Sequence, residues 1–115
     1  MKKSEIKKLD TLWSLKIKQR SNYICECCHR KDKALNSAHI IGRANRTLRW
    51  DLRNGLCLCV ACHNAYDQHH PLAFSIRDKV IGKERIEYLL AQKNVIAKNQ
   101  DFEQIRDKLI GGSRE

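Results

Sequence analysis

The sequence is 115 residues long and carries 23 Lys and Arg against 13 Asp and Glu, a net charge of +10. That length allows one domain with a modest core, and the charge favours a polyanionic partner, nucleic acid first. No stretch approaches a membrane-spanning helix and no apolar region follows "MKKSEIKKLD", so we expect a cytoplasmic protein with no membrane partner. There, six cysteines stay reduced and serve a metal rather than disulfides.

In chain order, residues 4–20 read as an amphipathic helix. Ile6, Leu9, Leu12, Trp13 and Ile17 fall at helical spacing with lysines between them, and Ser4 is the expected N-cap. Residues 21–60 read as loop-rich with short strands. "YICECCHRKD" has the look of a metal knuckle, and "ALNSAHII" and "NGLCLCV" read as two antiparallel strands. Between them, "GRANRTLRWDLR" is too polar for a strand and reads as an exposed loop, with Trp50 as a packed anchor. A helix from about Val60 to His69 ends at or before His70, because Pro71 disfavours helix at the residue before it. Leu72, Phe74 and Ile76 then precede a helix carrying Ile86, Leu89 and Leu90. The last helix starts near Asp101 with Gln104 as capping-box partner, buries Phe102, Ile105 and Leu109, and stops at Gly111-Gly112. "GGSRE" reads as a frayed end.

Cys25-x-x-Cys28 and Cys59-x-x-Cys62 are two pairs of zinc-knuckle spacing, in which one tight turn presents both sulfurs to a tetrahedral ion. We expect them to hold one structural Zn²⁺. The 30 residues between Cys28 and Cys59 are more than a compact ribbon needs, so the metal clamps the ends of an inserted segment. Cys27 and Cys57 read as non-ligands, because Cys-x-Cys is a poorer knuckle.

Inside the clamp lie residues that suit phosphodiester hydrolysis, which needs a base, a cation beside the phosphate, and a group that orients the base. His39 suits the base, since a neutral imidazole is available near pH 7. Asn54 either fixes its ring or completes a metal shell. His63 suits a divalent-cation ligand, with Asp67 at i+4 on the same helix face and His69 and His70 as further candidates. A hairpin packed on the following helix is expected to bring His39, Asn54 and His63 to one face.

These residues resemble the HNH endonucleases, the ββα-metal class. "AHII" resembles the first strand with its catalytic histidine, and "RNGLCLCVACH" resembles the run that carries the family's Asn and second His. The intervals, 15 residues from His39 to Asn54 and nine from Asn54 to His63, are similar to those of colicin-type nucleases. "LDTLWSLKIKQRSNYICECCHRK" is similar to the leader of phage HNH proteins of the recombination type. The resemblance spans about residues 9–75. It implies single-metal nicking or cutting of DNA that leaves 5′-phosphate and 3′-hydroxyl ends. By it, His39 is the general base, Asn54 its orienter and His63 a ligand of Mg²⁺ or another divalent cation such as Mn²⁺ or Ni²⁺. Many members carry Asp or a second His just before the base; here that position is Ala38, and Asp67, His69 or His70 would have to replace it. Asn54 is also followed by Gly55, where the family usually has an apolar residue; a glycine there would ease a tight turn.

The implied fold is α+β, a small, mostly helical domain around a zinc-stapled, treble-clef-like ββα-metal core. As one domain over 1–115 it comprises an N-terminal helix (1–22), the core (23–71), C-terminal helices (72–110) and a tail (111–115). Arg43, Arg46, Arg49 and Arg53, between the base and Asn54, are the candidate DNA contacts. One site on so small a chain suggests nicking by a monomer, or double-strand cutting by a homodimer. The main rival is a non-catalytic zinc module that binds nucleic acid. A thiol redox sensor using Cys27 and Cys57 ranks below both, having no use for His39, Asn54 and His63.

Overall fold

The structure, a computed structural model, describes residues 1–32, 34–68, 71–97 and 99–111, with the main chain alone for Leu72 and Phe74. The lysine-rich N-terminus forms α1, Lys3–Arg20, because Leu9, Trp13 and Ile17 recur every four residues and bury along one stripe. Its cap position is Lys2, not Ser4, which lies in the first turn. Glu5 secures that end by accepting from the Lys2 N–H at 2.9 Å.

The expected strands are β1, Leu35–His39, and β2, Gly55–Cys59, paired antiparallel from Leu35 opposite Cys59 to His39 opposite Gly55. This hairpin is the middle layer of the molecule, and all of β2 is buried. On one side Ala38, Leu56 and Leu58 pack with Cys25, Cys59, Cys62, Ile76 and Ile81. On the other, Cys57 packs with Leu9, Trp13, Ile17, Trp50 and Leu109. The result is a small α+β fold whose two half-cores share one two-stranded sheet.

Helix α2, Val60–Asp67, follows β2 directly. Pro71 then opens α3, Pro71–Ser75, the position where its fixed φ and missing N–H cost least. The lead-in expected around Ile76 is itself helical: α3 runs on as a π-helix, Ile76–Ile81, and Gly82 ends it at φ 86°, donating its N–H to Arg77 O at 3.1 Å. Helix α4, Lys83–Lys93, buries Leu89, but Leu90 is exposed rather than core. Helix α5, Phe102–Gly111, starts where Asp101 accepts from the Glu103 N–H, and packs on the α1 side through Leu109, with Phe102 and Ile105 half-buried. Gly112 and the rest of the expected frayed end lie outside the described residues, as do His69 and His70. Among the described residues no helix is long and apolar enough to cross a membrane.

The loop between the strands is less exposed than its polarity suggests, because Leu48 and Trp50 are buried. Asp10 on α1 anchors it. Its carboxylate accepts from Arg49 Nε and Nη2 at 3.0 and 2.7 Å and from Trp50 Nε1 at 2.9 Å. Burial opposes ionisation of Asp10, but the hydrogen bonds from Arg49 and Trp50 and the Arg49 charge outweigh it and hold the carboxyl below its usual value. Asp10→Ala should cost about 2–3 kcal/mol in urea unfolding, since it strands a partly buried guanidinium and an indole N–H. This share of stability is present above the ordinary carboxylate range, and should disappear as pH falls through the depressed native value.

Gly55 is not a turn glycine: its φ of −132° is extended backbone that any residue adopts. It is small because α1 lies on it. A Cβ there would sit 2.6 Å from Trp13 Cζ2 and closer still to Ile17 Cδ1. Gly55→Ala should therefore push α1 off the hairpin and lower the unfolding free energy by about 1–3 kcal/mol, read as a fall in urea midpoint.

Candidate functional site

The two knuckles meet. One sulfur from each of Cys25, Cys28, Cys59 and Cys62 lies within 4.8 Å of the others, with Cys28 Sγ and Cys59 Sγ 3.8 Å apart. A tetrahedral ion with Zn–S bonds of about 2.3 Å needs sulfurs about 3.8 Å apart, so the donor set fits zinc. The knuckle turn aims main-chain N–H groups at sulfur: the Cys28 N–H donates to Cys25 Sγ at 3.5 Å. Burial raises the Cys25 thiol, but these N–H groups outweigh it and bring it down to about 7. Burial pushes the Cys62 thiol up. Cys27 packs beside Cys62 in the same half-core, whereas Cys57 lies in the α1-side half-core, so the two extra thiols do not form a pair.

His39 ends β1 with its ring stacked on Trp13, centroids 3.9 Å apart and planes within 6°. Its Nε2 lies 2.9 Å from Arg49 O. A carbonyl only accepts, so Nε2 carries the proton and Nδ1 keeps the lone pair. Burial lowers the His39 pKa below its ordinary value, with the nearby Arg49 and Arg43 charges adding to this. The imidazole is thus held neutral, in one tautomer, by a clamp that the sequence did not reveal.

Asn54 is fully buried, and its side-chain hydrogen bonds go to neither imidazole nor to the cysteine cluster. Its Oδ1 accepts from the Ile41 N–H at 2.7 Å, and its Nδ2 donates to Ile41 O and Leu48 O at 2.9 and 3.0 Å. It thereby braces the loop that carries the Arg49 carbonyl.

The one-face expectation is corrected by strand alternation. Ser37 and His39 point toward α1, where Ser37 bonds Ser14 and His39 meets Trp13. Asn36 and Ala38 point the other way, where Asn36 Nδ2 lies 3.1 Å from His63 Nδ1. His39 and His63 therefore flank the hairpin on opposite sides. His63 Nε2 lies 3.3 Å from Asp67 Oδ2, as the i+4 spacing predicts. With the Asn36 amide turned so that its oxygen accepts from Nδ1–H, Nε2 becomes a lone pair beside that carboxylate, a two-donor seat for a hard cation. Among the described residues the four cysteines are the only cluster of three or more such donors.

The four arginines differ. Arg49 is committed to Asp10 by a two-point ion pair, with its side chain 14% exposed. Arg53 pairs with Asp51 and stacks on Tyr88, 3.6 Å to the ring centroid. Arg43 and Arg46 are exposed, with Arg46 leaning over Trp50. Their loop is tied to the segment between α4 and α5: Asn45 Nδ2 donates to Lys93 O, Thr47 Oγ1 to Val95 O, and Gln100 Nε2 to Arg46 O.

No curated protein and no solved structure matches the chain. A family model does: residues 23–74, which hold all four knuckle cysteines, His39, Asn54 and His63, match that of the HNH endonucleases.

Proposed function

We propose that the chain, whose residues 23–74 match the model of the HNH endonucleases, is one cytoplasmic nuclease domain that hydrolyses phosphodiester bonds of DNA with a divalent cation. The observation that carries the reading is the His39 clamp: Nε2–H held by the Arg49 carbonyl, Nδ1 left as a base, and a pKa pulled down by burial. In this reading His39 takes the proton from water. His63 and Asp67 hold the catalytic cation, Mg²⁺, Mn²⁺ or Ni²⁺, which stabilises charge on the phosphorane and the departing oxygen. Asn54 positions the loop behind His39, and Cys25, Cys28, Cys59 and Cys62 hold a structural zinc. Among the described residues β1 has a strand partner on one edge only. A phosphodiester laid across its free edge would meet His39 from one side and the cation from the other. Arg43 and Arg46 then hold the neighbouring backbone, with Arg53 beside them. A monomer would nick; a homodimer would cut both strands.

A second reading, a zinc-stabilised module that binds nucleic acid without cutting, is favoured by Ala38 in the place of a ligand and by the separation of His39 from His63. Supercoiled plasmid incubated with the protein and Mg²⁺, Mn²⁺ or Ni²⁺ in turn decides between them. Conversion to open circle with any of these supports the nuclease. Binding without conversion under all of them leaves the binding module.

A further inference from the structure

Two arginines outside the proposed site converge on one main-chain oxygen. Arg20, the last residue of α1, donates from Nη2 to Gly55 O at 2.7 Å and from Nη1 to Leu52 O at 2.6 Å. Arg85, in the first turn of α4, donates from Nη2 to the same Gly55 O and from Nε to Arg53 O at 2.7 Å. Sharing one acceptor places the two Nη2 atoms within about 5 Å of each other. Both guanidiniums thus sit on the residue opposite His39 in register, at the edge of β2 that faces away from β1.

Nearby carboxylates do not balance this pair. Glu26 Oε2 stands 3.9 Å from Arg20 and accepts from the Cys57 N–H at 2.6 Å. Asp51 is engaged by Arg53 and the Tyr88 hydroxyl. Three guanidiniums therefore face two carboxylates. Burial, and then the Arg20 charge, pull the Arg85 guanidinium below its ordinary value. Covering the Gly55 oxygen does not require this, since one arginine or a neutral amide would serve. The four bonds to main-chain oxygens use fewer than half of the ten N–H donors that two guanidiniums carry. Two pinned forks with donors to spare and a net positive charge match a tetrahedral anion.

We propose that Arg20 and Arg85 form a second phosphate grip, which binds a backbone phosphate of DNA other than the one cut. The grip rests on the DNA reading above but not on cleavage. It places one point of the footprint where α1 and α4 meet, outside residues 23–74 that the family model covers.

The test is the salt dependence of binding by the zinc-loaded full chain to a short duplex, read by fluorescence anisotropy without added divalent cation or chelator. Arg20→Gln should flatten the slope of log affinity against log salt by about 0.9 and weaken binding roughly three- to tenfold at fixed moderate salt. Arg85→Lys keeps the charge, loses the fork, and should weaken binding with little change in slope; it also serves if Arg85→Gln does not fold. Wild-type slope and affinity in folded Arg20→Gln and Arg85→Lys, or no duplex binding by the wild type, overturns the grip. Plasmid nicking separates the two ideas. Unchanged binding by both variants of a protein that nicks removes the grip and keeps the nuclease. A flattened slope in a protein that never nicks keeps the grip and removes the nuclease.

Discussion

Serine in place of Cys62 should remove the bound zinc and unfold the half-core beneath α2. The wild type should carry one zinc per chain by elemental analysis, and the variant none. The effect is large because Cys62 belongs both to the four-sulfur cluster and to the core: it packs with Ala38, Leu56, Leu58, Ile76 and Ile81. Apparent binding energies of about 10–16 kcal/mol for structural zinc in peptides match or exceed the whole stability of an ordinary small domain, about 5–15 kcal/mol. The α1-side half-core holds no knuckle sulfur except through β2, so α1 and α5 should keep part of their helical circular dichroism after the cooperative transition is lost. Cys27→Ser supplies the contrast. It should retain zinc and melt near the wild type, because Cys27 stands beside the cluster without belonging to it. Loss of zinc from Cys27→Ser, with retention in Cys62→Ser, would reverse the ligand assignment.

Replacing His39 by alanine should lower plasmid nicking by about 10²- to 10⁴-fold, the usual worth of a positioned base, while zinc content stays at one per chain. The dependence on pH follows from the clamp. Only the neutral ring accepts a proton, and burial lowers its pKa. The wild-type rate should therefore climb through a pKa below the ordinary histidine value of about 6.5 and stay level above it. Stability carries the same sign. The unfolded chain protonates this histidine more readily than the folded one, so the His39 contribution is complete above about 6.5 and declines as pH falls toward the lowered native value. Equal nicking by His39→Ala and wild type would remove His39 from the chemistry. An activity lost together with zinc would mean that the stack on Trp13, rather than the base, had been tested.

Local signals carried most of the fold. The stripe of Leu9, Trp13 and Ile17, the alternation that set β1 against β2, and the paired knuckles each depend on near neighbours, and each appears as expected. The misreadings involve distant partners. The Arg49 ion pair was not legible because its counter-charge, Asp10, lies 39 positions away on another helix. Gly55 looked like a turn residue because the side chains that require it to be small, Trp13 and Ile17, come from α1. The sides taken by His39 and His63 were half legible. Asn36 and His39 differ by an odd number of strand positions and must diverge. That α2 would take the Asn36 side and α1 the other is a matter of packing, which no spacing within residues 23–74 encodes. The role of Asn54 as a loop brace was not legible, because its three partners are main-chain atoms without sequence identity.

The tie between the arginine loop and the α4–α5 connection has a consequence for affinity. A free loop carrying Arg43 and Arg46 would have to be frozen by the duplex, at about 1–2 kcal/mol of backbone entropy per residue. Asn45, Thr47 and Gln100 fasten it to main-chain atoms before any ligand arrives, so that ordering is completed during folding, and under the proposed reading most of each phosphate contact would remain available as binding energy. The C-terminal third of the chain, which lies outside the matched family segment, thereby works as a splint for the arginine loop of the first two-thirds.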